Sequence, residues 1–410
     1  LFLEHDMSKS HYLALLLLVG AYLPSSLHGT TSYAMVALGY ACALCLLCYG
    51  AWKFGASEVA VVGGLLILMT LAACTLFGSL STIRMEKVGI FGTMAMMLCL
   101  RSKGEREGSN ALLLVSGINI AIGIGIIAGV EAVVLWVERF YSAFFDGLVP
   151  SMLDLHKPVL SYGTHSIAAF FLYMFYWLNF RTFQVTGRQL NLAYAIVHAL
   201  LCAALLSHAS FGFACLAFAE MGWHALSRSR YLTIACLLAL AALIPAAIRA
   251  FDPKTSGWNA IKDVAKEYVV YTWVDKEGGL LARYGAGGDL AEPVAYIANH
   301  PLRPIGLSSS EKYVLVDSGP VEYMMRGSFL LVILIYSGLW YFLRAHLPPW
   351  DAWRMMLCVL GMEMGFSVLL YQRTALLLPA FVLYLSGLNV RSSPDEGLGG
   401  KTWNLSQAPA

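Results

Sequence analysis

Charge is scarce in this chain. Of its 410 residues only 13% are Asp, Glu, Lys or Arg, against about 25% in an ordinary soluble domain. With 59% hydrophobic residues, folding in water would leave large apolar patches exposed, and a bilayer removes that difficulty. The net charge is only +2, so no global field points to nucleic acid or to acidic partners. Cysteine is missing from the long polar loops. All nine (Cys42, Cys45, Cys48, Cys74, Cys99, Cys202, Cys215, Cys236 and Cys358) lie in apolar stretches, which argues against a disulfide framework or a metal site. Cys42, Cys45 and Cys48 share a helix face, where free cysteine behaves as a small hydrophobe. There is no HExxH, GxSxG or paired CxxC, so zinc-protease and serine-hydrolase chemistry has no foothold. No repeat recurs at a fixed period, and the two halves lack the matched broken helices of many transporters. The first apolar run is followed by further ones, so it is expected to stay as an anchor rather than be cleaved.

What is present is apolar length. A helix needs about 20 predominantly apolar residues to cross the hydrocarbon core, and its backbone must pair internally. Runs near 11–27, 33–51, 58–78, 87–100, 111–130, 164–180, 190–206, 209–224, 231–249, 323–343, 353–372 and 374–389 predict an all-α polytopic membrane protein with about twelve transmembrane helices. Lys and Arg in the short loops set orientation. With the N-terminus cytoplasmic, thirteen fall inside, among them Lys53, Arg101, Arg181, Arg344 and Arg354. Five fall in short outer loops: Arg84, Lys87, Arg139, Lys157 and Arg373. The organisation expected is helices 1–5 in 1–130, an enlarged outer loop with an interfacial helix in 131–163, and helices 6–9 in 164–249. A large outer loop in 250–322, helices 10–12 in 323–390 and a disordered cytoplasmic tail in 391–410 follow.

The outer loops carry the candidate chemistry. Residues 258–271 place Trp258, Ile261, Val264, Ala265 and Tyr268 on one helical face and charged residues on the other, as a surface-lying helix would. Val133, Trp136, Phe140 and Phe144 do the same in 133–148. Five glycines surround Arg283 in GGLLARYGAGGDL (278–290), which lets backbone N–H groups approach an anion but matches no Walker or dinucleotide fingerprint. The segment 249–327 holds nine Lys/Arg and ten Asp/Glu, so an anion site there must come from individual arginines: Arg283, Arg303 or Arg326. A guanidinium forks onto phosphate oxygens, and a structural salt bridge is the alternative use of each. Glu322 and Arg326, four apart at the start of a span, form either an ion pair or a proton-accepting carboxylate beside an anion holder. His165 at the mouth of span six either bonds a carbonyl or transfers protons. Glu220, Glu363 and His198 lie within spans, where ionisable groups usually face the bundle interior.

KPVLSYGTHSIAAFF (157–171), LLSHASFGF (205–213), RYGAGGDLAEPVAYIANHPLRPIG (283–306) and DSGPVEYMMRGS (317–328), in this order between two enlarged loops, resemble the O-antigen polymerase and O-antigen ligase superfamily of bacterial envelope proteins. The resemblance covers roughly residues 150–345. It implies metal-independent glycosyl transfer at the periplasmic face of the inner membrane, without a cofactor. The donor would be a glycan on undecaprenyl pyrophosphate. The expected partners are that glycan, membrane lipids and a chain-length regulator, with no nucleic acid. The pyrophosphate role falls first on Arg283, assisted by Arg303, Arg326 or Lys157. The general base is Glu322, Asp317 or His165, and Tyr284, Tyr296, Tyr313 and Tyr323 offer aromatic faces to sugars. Lys157 stands where the family often has arginine, and PLRPIGLSS lacks a second glycine after Pro-Ile-Gly. Asp317 lies where ligases carry a histidine, which favours a polymerase of surface polysaccharide over a ligase acting on lipid A core. A transporter of lipid-linked glycan is the rival from another class, and it would depend on Glu363.

Overall fold

The computed structural model describes residues 7–25, 33–77, 85–101, 109–142, 148–228, 282–284, 288, 290–301, 303–308 and 317–389. Among these residues the fold is all-helical, and an isolated bridge joins Ala56 to Leu100. The helices are α1 (Lys9–Tyr22), α2 (Tyr33–Phe54), α3 (Glu58–Phe77), α4 (Met85–Cys99), α5 (Ser109–Ile127), α6 (Glu131–Tyr141) and α7 (Leu148–Asp154). After them come α8 (His165–Thr186), α9 (Gln189–Ala204), α10 (His208–Arg228), α11 (Ala291–Asn299), α12 (Gly319–His346), α13 (Pro349–Glu363) and α14 (Gln372–Asn389). The span expected at 231–249, the surface helix expected at 258–271 and the tail at 391–410 lie outside the described residues.

Among the described residues four helices are long and apolar enough to cross a membrane: Ala34–Phe54, Glu58–Phe77, Asn110–Ile127 and Gly319–His346. α3 shows why a bilayer is their solvent. It buries Ala60, Gly64, Ile67, Leu71 and Thr75 in a stripe at helical spacing, against α4 and α12. Its opposite face exposes Val59, Val62, Leu65, Met69 and Leu76, which water would not tolerate and lipid does. The small residues of the stripe let neighbouring backbones approach, as lipid-embedded helices require.

α8 is the central helix. Thr164 Oγ1 accepts from the N–H of Ile167 at 3.3 Å, and Gly187, left-handed with φ 70°, closes the helix through its N–H to Phe183 O at 2.7 Å. Every residue from Ile167 to Phe180 is buried, as a helix apolar all round must be. It packs against α9, α10, α13 and α14. The expected interfacial helix at 133–148 is shorter in the structure. α6 stops at Tyr141, and Trp136 and Tyr141 pack edge to face within it at 4.9 Å. α7, seven residues with Pro150 in its first turn, was not foreseen.

Two of the five cations assigned to outer loops are inside the protein. Arg373 (1% exposed) donates to Gly20 O, Ala21 O and Leu23 O at 3.0, 2.6 and 2.7 Å. It thus caps the carbonyl end of α1, where a cation complements the helix dipole. Lys87 (1% exposed) lies in α4. On the other side Arg354 forks onto Glu220 at 2.8 and 2.6 Å over the Trp177 ring, and Arg181 Nη2 donates to both carboxylate oxygens of Asp351 at 2.9 and 3.0 Å. Glu220 is therefore paired, and His198 Nδ1 lies 2.7 Å from Tyr194 O.

Candidate functional site

α12 is not continuous. Gly327 and Ser328 leave helical dihedrals, and Ser328 takes φ 62°, ψ −170°, a conformation costly for a residue with a Cβ. A break frees the carbonyls of the preceding turn, and in an apolar setting each must find a donor. The segment 303–308 supplies them: Ile305 N–H donates to Met325 O at 2.9 Å and Gly306 N–H to Arg326 O at 3.0 Å. The next amide, of Leu307, donates to Thr75 Oγ1 of α3 at 2.7 Å. Gly306 has φ 60°, and a Cβ there would lie 2.3 Å from the backbone nitrogen of Thr75. Gly306→Ala combines backbone strain with overpacking and is expected to destabilise the protein by about 2–3 kcal/mol. Thermal unfolding of the detergent-solubilised variant measures this, and an unchanged midpoint would contradict the packing described.

The first half of α12 carries a buried ionic cluster. Arg326 Nε donates to Glu322 Oε1 at 2.5 Å, one turn earlier on the same face. Its Nη1 donates to Gly306 O and Ser308 O at 2.9 and 2.7 Å, fastening the inserted segment to the helix. Lys87 of α4 brings Nζ to 3.8 Å from Glu322 Oε1. Glu322 and Arg326 are 0% exposed and Lys87 1%. Two cations and one carboxylate therefore share a dry site, which only mutual pairing makes tolerable.

Beside this cluster stands a second carboxylate. Glu363 ends α13 and is fully buried. Its Oε2 accepts from Tyr323 Oη at 2.7 Å and Tyr336 Oη at 3.2 Å, and its Oε1 from the Leu369 N–H at 2.8 Å. Tyr323 precedes the break in α12 and Tyr336 follows it, so one carboxylate braces both halves. Gly319 makes room, since a Cβ there would fall 1.7 Å from Glu363 Oε2. Glu363→Gln keeps an acceptor for Leu369 and forces both phenols to turn, so a loss of about 1–2 kcal/mol is expected. The thermal midpoint again reads it, and an unshifted midpoint would show that the brace contributes nothing.

The turn after Glu363 holds the more open layer. Arg283 Nη1 donates to Gly365 O at 3.0 Å, and Tyr284 Oη donates to Met364 O at 2.7 Å. Tyr284 Oη also lies 2.9 Å from Ser318 Oγ. Arg283 Nη2 lies 3.5 Å from Asp317 Oδ2, the two side chains being 24% and 57% exposed. Leu290, Val321 and Met325 form a small apolar core beneath, against which Tyr284, Tyr296 and Ile305 pack. Arg283, Tyr284, Asp317, Glu322, Tyr323 and Arg326 thus gather around the first two turns of α12.

The remaining candidates sit elsewhere. Arg303 is exposed, and Tyr296 donates to its carbonyl at 2.9 Å while stacking on His300 at 4.9 Å. His165 opens α8, which packs on α9, α10, α13 and α14. Lys157 lies in the turn between α7 and α8, where partial burial pushes its ammonium below the ordinary lysine value. Tyr313 lies outside the described residues. Lys87, Tyr336 and Ser318 were missed; only Lys87, a cation inside an apolar run, carried a signal that could have found it. In comparisons with protein-family models, curated proteins and solved structures, nothing matches this chain.

Proposed function

We propose that this chain is a membrane glycosyltransferase. It polymerises undecaprenyl-pyrophosphate-linked oligosaccharide repeat units into surface polysaccharide at the periplasmic face of a bacterial inner membrane, which it crosses about twelve times. The observation that carries this reading is the Arg283–Asp317 pair, a solvent-reachable cation and carboxylate held together at the mouth of a membrane helix.

Glycosyl transfer from a lipid pyrophosphate needs those two functions. The acceptor hydroxyl attacks the anomeric carbon, forming the new C–O bond. The bond from that carbon to the pyrophosphate oxygen breaks, and its electron pair leaves with the pyrophosphate. A fixed guanidinium stabilises the growing negative charge, because its position costs no reorganisation when the charge appears. The acceptor proton passes to a carboxylate within reach. Asp317 suits that task better than Glu322. Asp317 is 57% exposed, whereas Glu322 is 0% exposed and tied to Arg326. Glu322 and Arg326 then act as positioning residues that hold the opening turns of α12, and Tyr284 and Tyr296 offer edges and faces to sugar rings.

Acceptor dependence tests the reading. Purified protein in nanodiscs, given only the undecaprenyl-pyrophosphate-linked repeat unit, is expected to produce a ladder of longer glycans. A single product appearing only after lipid A core is added would replace polymerisation with ligation. Movement of the intact lipid-linked glycan across the bilayer, with no new glycosidic bond, would overturn the enzyme reading.

A further inference from the structure

A cavity of about 500 Å³ opens at the other end of α12, between the start of α3 and the end of α4. Its lining includes Ser57, Glu58, Leu98, Arg101, Phe342 and His346. We infer that this cavity binds the head group of a zwitterionic phospholipid bearing a primary amine, with the phosphate on Arg101 and the ammonium on Glu58.

Three observations lead there. The first is depth. Trp52, Trp350 and Trp353 are 79%, 78% and 52% exposed and sit at the end of α2 and the start of α13, the same end of the bundle as the cavity. Arg344 lies 5.9 Å over the ring of Trp340 beside them. Exposed tryptophans gathered at one end of apolar helices mark the level of lipid head groups. The cavity mouth therefore opens where a phosphate and an amine reside, and its volume is that of an ordinary ligand site.

The second is charge. Among the described residues the cavity lining carries one cation, Arg101, and one carboxylate, Glu58, both exposed. Among the described residues no ion pair is made by either side chain. An anionic lipid would satisfy Arg101 and be repelled by Glu58. A choline head group would satisfy charge on both but offers Glu58 no N–H. A primary ammonium donates charge-assisted hydrogen bonds to the carboxylate while the phosphate accepts from the guanidinium.

The third is rigidity and continuity. Ser57 N–H donates to Cys99 O at 2.8 Å and Arg101 N–H to Gly55 O at 3.1 Å, around the Ala56–Leu100 bridge. Ser57 Oγ lies 3.1 Å from Tyr341 Oη, tying α12 to the same rim. The two charged residues are thus held on one short ladder, which preorganises the site. Below them Leu98 and Phe342 are buried, and the exposed strip of Val59, Val62 and Leu65 runs on along α3 as a track for an acyl chain.

Native mass spectrometry of the full chain, titrated separately with phosphatidylethanolamine, phosphatidylglycerol and phosphatidylcholine of identical acyl chains, tests this. Wild-type protein is expected to retain phosphatidylethanolamine preferentially. Glu58→Gln should weaken that retention roughly tenfold, the equivalent of one charge-assisted contact, and leave phosphatidylglycerol retention unchanged or improved. Arg101→Ala should weaken retention of both. Both positions are exposed, so folding is not at stake, and thermal midpoints equal to wild type confirm that. Equal retention of all three lipids by the wild type would overturn the proposal, as would undiminished phosphatidylethanolamine retention in both variants.

Discussion

Replacing Arg283 with Ala is expected to abolish glycan elongation in cells while the folded protein stays at its normal abundance. The two halves of that expectation have separate causes. Arg283 is expected to contribute modestly to stability, because its ion pair with Asp317 is long at 3.5 Å and partly exposed, and exposed pairs contribute at most about 1 kcal/mol. Its bond to Gly365 O is a single contact to a turn already braced by Glu363. Under the proposed mechanism its contribution to the transition state is of another size. Removing one preorganised donor from a site of developing negative charge costs a factor of about 10²–10³ in rate. Arg283→Lys keeps the charge and loses the planar fork, so partial elongation is expected rather than recovery. Glycan profiles on gels, beside immunoblots of membrane fractions, measure both quantities. Normal chain lengths in the Ala variant would remove Arg283 from the chemistry, and loss of the protein itself would give it a structural role instead.

Glu322→Gln is expected to destabilise the protein strongly, by about 3–5 kcal/mol, the cost of breaking a buried ion pair from one side. The asymmetry within the cluster makes the prediction specific. Removing the carboxylate leaves Lys87 and Arg326 facing each other without their shared counter-charge, with both side chains inside the protein. Lys87 Nζ and Arg326 Nε both lie within 3.8 Å of the same Glu322 Oε1, and like charges about 6 Å apart still repel by roughly 3 kcal/mol at an effective dielectric constant of about 20. Arg326→Met instead leaves Glu322 with Lys87 but strands the carbonyls of Gly306 and Ser308, at about 1–3 kcal/mol each, so its cost is of similar size. Both variants should therefore unfold at a clearly lower temperature than the wild type. Intrinsic tryptophan fluorescence during heating in detergent gives both midpoints. A Glu322→Gln midpoint equal to wild type would show that the cluster is not the electrostatic lock described.

The elements legible in the sequence were those specified by local composition. α2, α3, α5 and α8 follow from unbroken apolar runs, and their ends fall within a few residues of the expected bounds, apart from the last turn of α8, which runs on to Gly187. The features that build the site were set by tertiary pairing. Lys87 and Arg373 looked like loop cations because charge beside an apolar run normally marks its end. Here a carboxylate in α12 and the carbonyl end of α1 draw them inside. Glu363 looked unpartnered because its partners lie on another helix, on either side of a break that no hydropathy window detects. The break itself turns on two dihedral pairs at Gly327 and Ser328, and it is stabilised by Ile305 and Gly306 some twenty residues earlier. Arg283 and Asp317 were singled out for their chemistry. What their sequence positions did not reveal was that the turn following α13 would hold Arg283 beside Asp317.

The most direct test of the account is elongation by purified protein in nanodiscs, with the lipid-linked repeat unit as sole substrate and a chelator present throughout, run side by side for wild type and Arg283→Ala. The account predicts a glycan ladder from the wild type, undiminished by chelator, and none from the variant although it binds detergent and unfolds like the wild type. A ladder of equal length from both proteins would contradict it, as would a wild-type ladder that the chelator erases.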